Sequence, residues 1–175
     1  CVFCVEGFCH ATDVPRARIQ TAAGIQHVLQ AAAPELGYIG FKYYYSVPGQ
    51  RSAMYVHLVN MKTGKLDAIV EARWQSMIRT GAASGVASKA LANPGATTVA
   101  QLGAGYQGMG QLEAVVRALK LREARVYAPT RDKLEAWCKK MSVKLDIPVM
   151  PAPSPQEAIR GAQVVNVITK SANPV

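Results

Sequence analysis

Three glycines, Gly103, Gly105 and Gly108, interrupt the stretch Thr97-Thr98-Val99-Ala100-Gln101-Leu102-Gly103-Ala104-Gly105-Tyr106-Gln107-Gly108. They follow the short apolar run Val99–Leu102 and precede the amphipathic segment Gln111–Leu121. Strand, glycine turn and helix, in that order, make a cradle for a pyrophosphate. One glycine makes the turn, one lets the main chain approach the ligand, and one lets helix pack on strand. The helix then offers its free N–H groups and the positive end of its dipole to the phosphates. The pattern predicts dinucleotide binding; the alternative is a glycine-rich turn that holds nothing.

The nucleotide is read from the next strand end. An NAD-preferring site places Asp or Glu there, about 20 residues past the glycines, against the ribose 2′-hydroxyl. That place falls on Ala128, in the run Tyr127-Ala128-Pro129-Thr130-Arg131, which contains no carboxylate. A 2′-phosphate meets no acid here and can be held by Arg131 with Thr130. NAD(P) is therefore the expected cofactor, with NADP(H) favoured over NAD(H). Alternatively, Arg131 caps a solvated helix start.

Composition narrows the remaining classes. The chain has 175 residues, half of them apolar, enough for one domain or one and a half. No apolar run approaches the roughly 18–20 residues of a membrane span. The net charge of +9 is spread over the chain, with Lys139-Lys140 the sole adjacent basic pair. An aromatic-and-basic stripe of the RNA-binding kind is missing, so neither nucleic acid nor membrane is expected as a partner. Positive potential suits a phosphorylated cofactor and a carboxylate substrate. Cys1, Cys4 and Cys9 with His10 would make only a cramped zinc site, without the second ligand pair that structural sites bring in. These cysteines and Cys138 read as free thiols in a cytoplasmic protein, and no metal is expected. The chain starts at Cys1 and stops at Val175 after an apparent strand, which reads as part of a longer polypeptide.

Two kinds of element must position these groups. Residues 1–10 look like the end of a helix. Arg16–Thr21 and Ile25–Gln30 are β-like around Ala22-Ala23-Gly24, and Ala31–Gly37 reads as a connection. Tyr38–Val47 alternates, with Ile39, Phe41, Tyr43 and Tyr45 on one side and Gly40, Lys42 and Tyr44 on the other. Met54–Asn60 and Leu66–Glu71 form a second strand pair around Lys62-Thr63-Gly64. This predicts an antiparallel sheet. His27 and His57 read as sheet-surface residues, and Tyr43–Tyr45 as packing plus a pocket wall.

From Trp74 to Ala92 the residues are small, as in a helix that lies close to another backbone, and Asn93-Pro94-Gly95 ends it. Strands at 99–102, 124–127, 148–150 and 163–169 then alternate with helices at 107–121, 132–145 and 154–161. The fold class is α/β: an incomplete Rossmann-type parallel sheet with helices on both faces, preceded by an antiparallel α+β domain. The expected divisions are 1–73, a connecting helix 74–95, and 96–175.

The runs Ile78-Arg79-Thr80-Gly81-Ala82-Ala83-Ser84-Gly85-Val86-Ala87, Leu102-Gly103-Ala104-Gly105-Tyr106-Gln107-Gly108 and Gln111-Leu112-Glu113-Ala114 closely resemble the ornithine cyclodeaminase/μ-crystallin family. The resemblance extends from about Val14 to Val175. It implies that the antiparallel half holds substrate and builds a homodimer, while the Rossmann half holds NAD(P). It makes Arg79 the arginine that grips the substrate carboxylate. Lys42 becomes the lysine that contacts the carboxylate and takes part in proton transfer. Arg16, directly after Pro15, is preferred over Arg18 as the third cation. Thr80, Tyr106, Gln107 and Thr169 fall at cofactor positions. Without the resemblance, Lys42 is a solvated edge residue, and Arg79 caps a helix through an ion pair with Glu71 or another acid.

The implied chemistry is hydride transfer between NAD(P) and Cα of an α-amino or α-imino acid. An arginine fork holds a carboxylate bidentately and aims Cα–H at the cofactor. The first expectation is an ornithine cyclodeaminase-type lyase that abstracts hydride, loses ammonia and closes proline. The alternatives are a ketimine or imino-acid reductase, an amino-acid dehydrogenase, and a non-catalytic μ-crystallin-like protein that holds NADPH or a small ligand. The family's catalytic aspartate lies beyond Val175, so these 175 residues alone are expected to have no turnover.

Overall fold

The computed structural model describes residues 12–169 and 171. The helix end expected over residues 1–10, with Cys1, Cys4, Cys9 and His10, lies outside them. The chain divides into two compact units, the first ending at Ser76 and the second beginning at Met77.

The first unit is an antiparallel sheet. Its strands are β1 (Thr12–Asp13), β2 (Ala17–Gln20), β3 (Ile25–Ala33), β4 (Tyr38–Ser46), β5 (Met54–Asn60) and β6 (Leu66–Glu71). The strands pair in the order β1-β3-β4-β5-β6, and β2 also pairs with β3. Between the two outer segments, Val14, Pro15 and Arg16 stand opposite only Leu29 and Gln30. Pro15 has no N–H to give a ladder, so the outer strand bulges there.

One sequence expectation is corrected. Ala31–Ala33 are strand rather than connection, because β3 keeps its ladder with β4 as far as Ala33 opposite Tyr38. The connection shrinks to a 3₁₀ turn, Pro34–Leu36, closed by Gly37 at φ 73°. Three alanines carry almost no β signal; the neighbouring strands supply it.

The second unit is a parallel sheet. β7 (Thr98–Leu102), β8 (Glu123–Tyr127), β9 (Val149–Pro151) and β10 (Val164–Val167) lie in the order β10-β7-β8-β9. Helix α1 (Arg73–Leu91) contains the boundary between the units. Helices α2 (Tyr106–Leu119), α3 (Arg131–Leu145) and α4 (Pro155–Ile159) follow. On one face of the sheet, Leu112, Val115 and Val116 of α2 and Leu134, Cys138 and Met141 of α3 enclose Val99, Ala124 and Val126. On the other, Ala158 of α4 and Ala152 cover Ala100 and Leu102. Alternate residues of β7 serve opposite cores, as expected where helices cover both faces. Cys138 is a free thiol at the bottom of the first core, and burial pushes its pKa up to about 11. It is a packing group, inert as a nucleophile.

The small residues of α1 have a specific use. The backbone at Gly81 lies against the Gly110 carbonyl, and Gly85 lies against Ala114. The same offset at both contacts means that α1 and α2 run parallel. Ser84 Oγ donates to Gln111 Oε1 at 2.8 Å between them. A methyl at position 81 would occupy the site of the Gly110 carbonyl, which as helix backbone has little freedom to retreat. Gly81→Ala is expected to destabilise the second unit by about 3 kcal/mol. A urea titration followed by circular dichroism checks this; an unchanged midpoint contradicts the close packing.

Candidate functional site

The three glycines of the loop have three different reasons to be glycine. Gly103 sits at φ 114°, and a Cβ there would come within 2.6 Å of the Ile168 carbonyl. At Gly108 a Cβ would meet the Gly103 carbonyl at 2.9 Å, so this glycine lets α2 seat on the loop. Gly105 differs: its φ is −84°, open to any residue, and a Cβ there would meet nothing within 4 Å. Among the described residues, nothing near Gly105 requires it to lack a side chain.

The loop sits where such a group is expected. Parallel ladders put the C-terminal ends of β10, β7 and β8 side by side, with Leu102 between Val167 and Tyr127. β8 follows β7 on one side and β10 lies on the other, which makes the crevice beside the loop the switch point of the sheet. Gly105 is the N-cap of α2 and brings no capping side chain, and the first turn contains no acidic residue. The N–H groups that a helix leaves without intrahelical partners therefore meet no carboxylate from their own turn. Gln107 Oε1 is buried without a hydrogen-bond partner among the described residues, a second sign of room for a polar ligand. These features fit a dinucleotide diphosphate on residues 103–108.

The flanking residues fall on either side. Thr169 follows β10, whose ladder is extended by the bond from Ile168 N to Leu102 O at 2.8 Å. Thr130 is the N-cap of α3 in extended conformation, and Arg131 opens that helix. The Arg131 guanidinium is engaged, with Nε 2.6 Å from Glu135 Oε1 one turn on. Both side chains are about half exposed, 55% and 54%.

Arg79 and Thr80 precede Gly81 on α1. The parallel packing on Gly110 places them level with the first turn of α2, beside the loop. Arg79 is exposed. Glu71, the acid considered for it, accepts the backbone N–H of Arg73 at 3.0 Å.

In the first unit, register decides which cations share a face. Arg18, His27, Tyr44 and Met54 form one cross-strand row. Leu29, Lys42, Val56 and Val70 form the next row on the same face. Extending the β2–β3 register by one residue sets Arg16 opposite Leu29, at the head of the Lys42 row. His27 stacks on Tyr44 with ring centroids 4.6 Å apart, and Lys42 Nζ lies 5.9 Å from the same ring. Burial first, then the charges of Arg16 and Arg18, hold the His27 imidazole below its usual pKa. The charges of both arginines thus reach His27, which lies on the lysine's face.

The structure therefore assembles the predicted residues as two groups. Arg16, Arg18 and Lys42 share a sheet face in the first unit. In the second, Arg79 and Thr80 stand beside the loop, with Thr130, Arg131 and Thr169 at the ends of the adjoining strands. His27, expected at the sheet surface, lies half-buried in the Tyr44 row. Gln101 lies within what the sequence reads as an apolar run, and the signal for it is a polar residue at a buried strand position.

Comparison with known proteins decides the family. The model of the ornithine cyclodeaminase/mu-crystallin family matches residues 6–175. The chain belongs to that family. It is 35% identical over 120 residues to a Delta(1)-pyrroline-2-carboxylate reductase of Bacillus cereus, an alignment covering 69% of this chain and 37% of that protein. It is 31% identical over 130 residues to the ketimine reductase mu-crystallin of Rattus norvegicus, covering 74% and 40%. The structure of Thermococcus litoralis Delta(1)-pyrroline-2-carboxylate reductase in complex with NADH and L-proline superposes with a TM-score of 0.89 at 28% identity, covering 94% of this chain and 54% of that one. The chain thus spans about half the length of the family members it matches, or less. The likeness bears out the antiparallel sheet followed by a parallel sheet with helices. Among the described residues, no helix is long and apolar enough to cross a membrane.

The unclaimed space over Gly105 separates ligand from fold. Gly105→Ala is expected to leave stability within about 0.5 kcal/mol and to weaken NADPH binding about tenfold or more, as its methyl displaces the diphosphate from the main chain. Thermal melts and isothermal titration read the two effects. Equal affinity for the variant and the unsubstituted chain contradicts the assignment.

Proposed function

We propose that this chain is the NAD(P)-binding and carboxylate-binding part of an enzyme that reduces a cyclic α-imino acid. The observation that carries the reading is the shared sheet face of Arg16, Arg18 and Lys42, combined with a glycine loop whose open position nothing internal demands. In this proposal the first unit serves substrate binding and dimerisation. The second holds the dinucleotide, and Arg79 and Thr80 belong to it.

Each residue has a physical task. Arg16 and Arg79 bind the carboxylate, with Arg18 in reserve, and their planar forks fix the direction of Cα. Lys42 contacts the same carboxylate and handles the proton at the imine nitrogen. Neutral His27, stacked on Tyr44, adds no further charge to the face. The nicotinamide, when bound, supplies the hydride. Tyr106, Gln107 and the loop glycines hold the diphosphate, and Thr169 approaches the nicotinamide end.

Thr130 and Arg131 favour NADP(H). An exposed ion pair such as Arg131–Glu135 is worth only about 0.3–0.5 kcal/mol, less than a charge-assisted contact with a phosphate. Arg131 can therefore exchange Glu135 for a 2′-phosphate. The exposed apolar side chains on the sheet face opposite Lys42, Ile19, Ile39, Phe41, Tyr55 and Ile69, suit burial in a homodimer. A cytoplasmic setting accords with a buried free thiol.

Reduction is placed ahead of the cyclodeaminase reaction because the curated family member quoted above at 35% identity and the superposed structure both carry the name of a pyrroline-carboxylate reductase. Cyclodeamination uses the same clamp and stands as the second reading. The assay takes the complete polypeptide that carries these residues, with Δ1-pyrroline-2-carboxylate and NADPH, and follows absorbance of the reduced nicotinamide. Oxidation is expected, with NADPH bound about tenfold more tightly than NADH. Lys42→Ala is expected to lower kcat by about 100-fold or more without changing the NADPH Kd. Proline formed from ornithine instead selects the cyclodeaminase. Dinucleotide binding with neither reaction selects a binding protein.

A further inference from the structure

Gln101 stands in the middle of the parallel sheet with 0% of its surface exposed, next to the equally buried Val99 and Ala100. An amide in that position is costly unless its hydrogen bonds are made, and an apolar residue is the default for a strand covered on both faces. Its bonds are made, two of them to the loop. Nε2 donates to the Gly103 carbonyl at 2.9 Å and to the Gly108 carbonyl at 3.2 Å. Oε1 accepts from Asn166 Nδ2 at 3.1 Å, and Asn166 is the residue paired with Gln101 on β10.

The two carbonyls fix the direction of the amide. They can only accept, so the Gln101 NH₂ must face the glycines and its oxygen takes the Asn166 N–H. That NH₂ has two protons, and both are used. The two carbonyls at the ends of the loop are thereby drawn inward onto the strand. Carbonyl oxygens that faced the crevice would repel a diphosphate; here they are turned away from it. The fit is close, since a Cβ at Gly108 would stand 3.0 Å from Gln101 Nε2.

We infer that Gln101 is a positioning residue of the dinucleotide site, holding the Gly103 and Gly108 carbonyls so that the loop presents N–H groups to the diphosphate, and that Asn166 sets its orientation. The inference rests on the dinucleotide reading above. It assigns to a buried side chain the shape of the loop above it, and it ties β7, β10 and the start of α2 together.

The test titrates the chain and its Gln101→Met and Asn166→Val variants with NADPH, ADP-ribose and adenosine. Methionine keeps the volume of glutamine and removes the amide. A folded Q101M is expected to bind NADPH and ADP-ribose about tenfold more weakly, and adenosine, which has no phosphate, as the unsubstituted chain does. N166V is expected to show about a threefold loss of the same kind, and it decides the matter should Q101M fail to fold. Unchanged NADPH affinity in a folded variant, or an equal loss for adenosine, overturns the role of Gln101 while leaving the dinucleotide reading intact. An unsubstituted chain that binds neither NADPH nor ADP-ribose overturns both.

Discussion

An anion of two charges can rest against a protein main chain only where N–H groups point outward, carbonyls point inward and no side chain intervenes. In residues 103–108, the Gly103 and Gly108 carbonyls are bonded to Gln101, and a Cβ at Gly105 would meet nothing within 4 Å. Gly103 and Gly108 are dictated by the protein's own backbone, one by its conformation and one by packing. Gly105 is dictated by neither, and it lies at the mouth of the loop where the sheet changes winding direction. The rest of the second unit follows from keeping that loop in shape. Its core covers both faces of β7, and α1 is locked to α2 through glycine-to-glycine contact. That lock carries Arg79 and Thr80 to the level of the loop.

The first unit answers a different need. Its two-residue period sorts each strand into a cationic face, with Arg16, Arg18 and Lys42, and an apolar face, with Ile39, Phe41 and Tyr55. A single slip of register would exchange the two faces. Several features oppose it: the bulge at Pro15, the full ladder between β3 and β4, and the stacked pairs His27–Tyr44 and Phe41–His57 at 4.6 and 4.4 Å. Burial first, then the charges of two arginines, lower the His27 pKa. The cationic face therefore retains a neutral hydrogen-bonding group among its charges.

Much of this was legible in the sequence because it is local. The strands Met54–Asn60 and Leu66–Glu71 were marked by alternation and flanking turns. The glycine spacing gave the loop, and the small residues of α1 gave the close helix contact. What escaped depended on residues far apart in the chain. Ala31–Ala33 are β only because Tyr38–Gly40 pair with them. The Gln101–Asn166 bond joins positions 65 residues apart, so neither amide announces the other. Arg131 and Glu135 were the opposite case: their i, i+4 spacing on a helix was open to view, and the pair could have been read. The motifs of α1 and the loop carried the family, while the choice among its reactions lies in pocket contacts that no local pattern encodes.

The central claim is that a dinucleotide diphosphate sits on the main chain at residues 103–108. A ¹⁵N-resolved NMR titration with NADPH tests it most directly, because it reads each backbone N–H separately. The amide resonances of Gly105, Tyr106, Gln107 and Gly108 should move together and saturate, while those of β9 and α4 stay in place. Saturable binding that leaves the four loop amides unmoved and shifts resonances elsewhere would contradict the account.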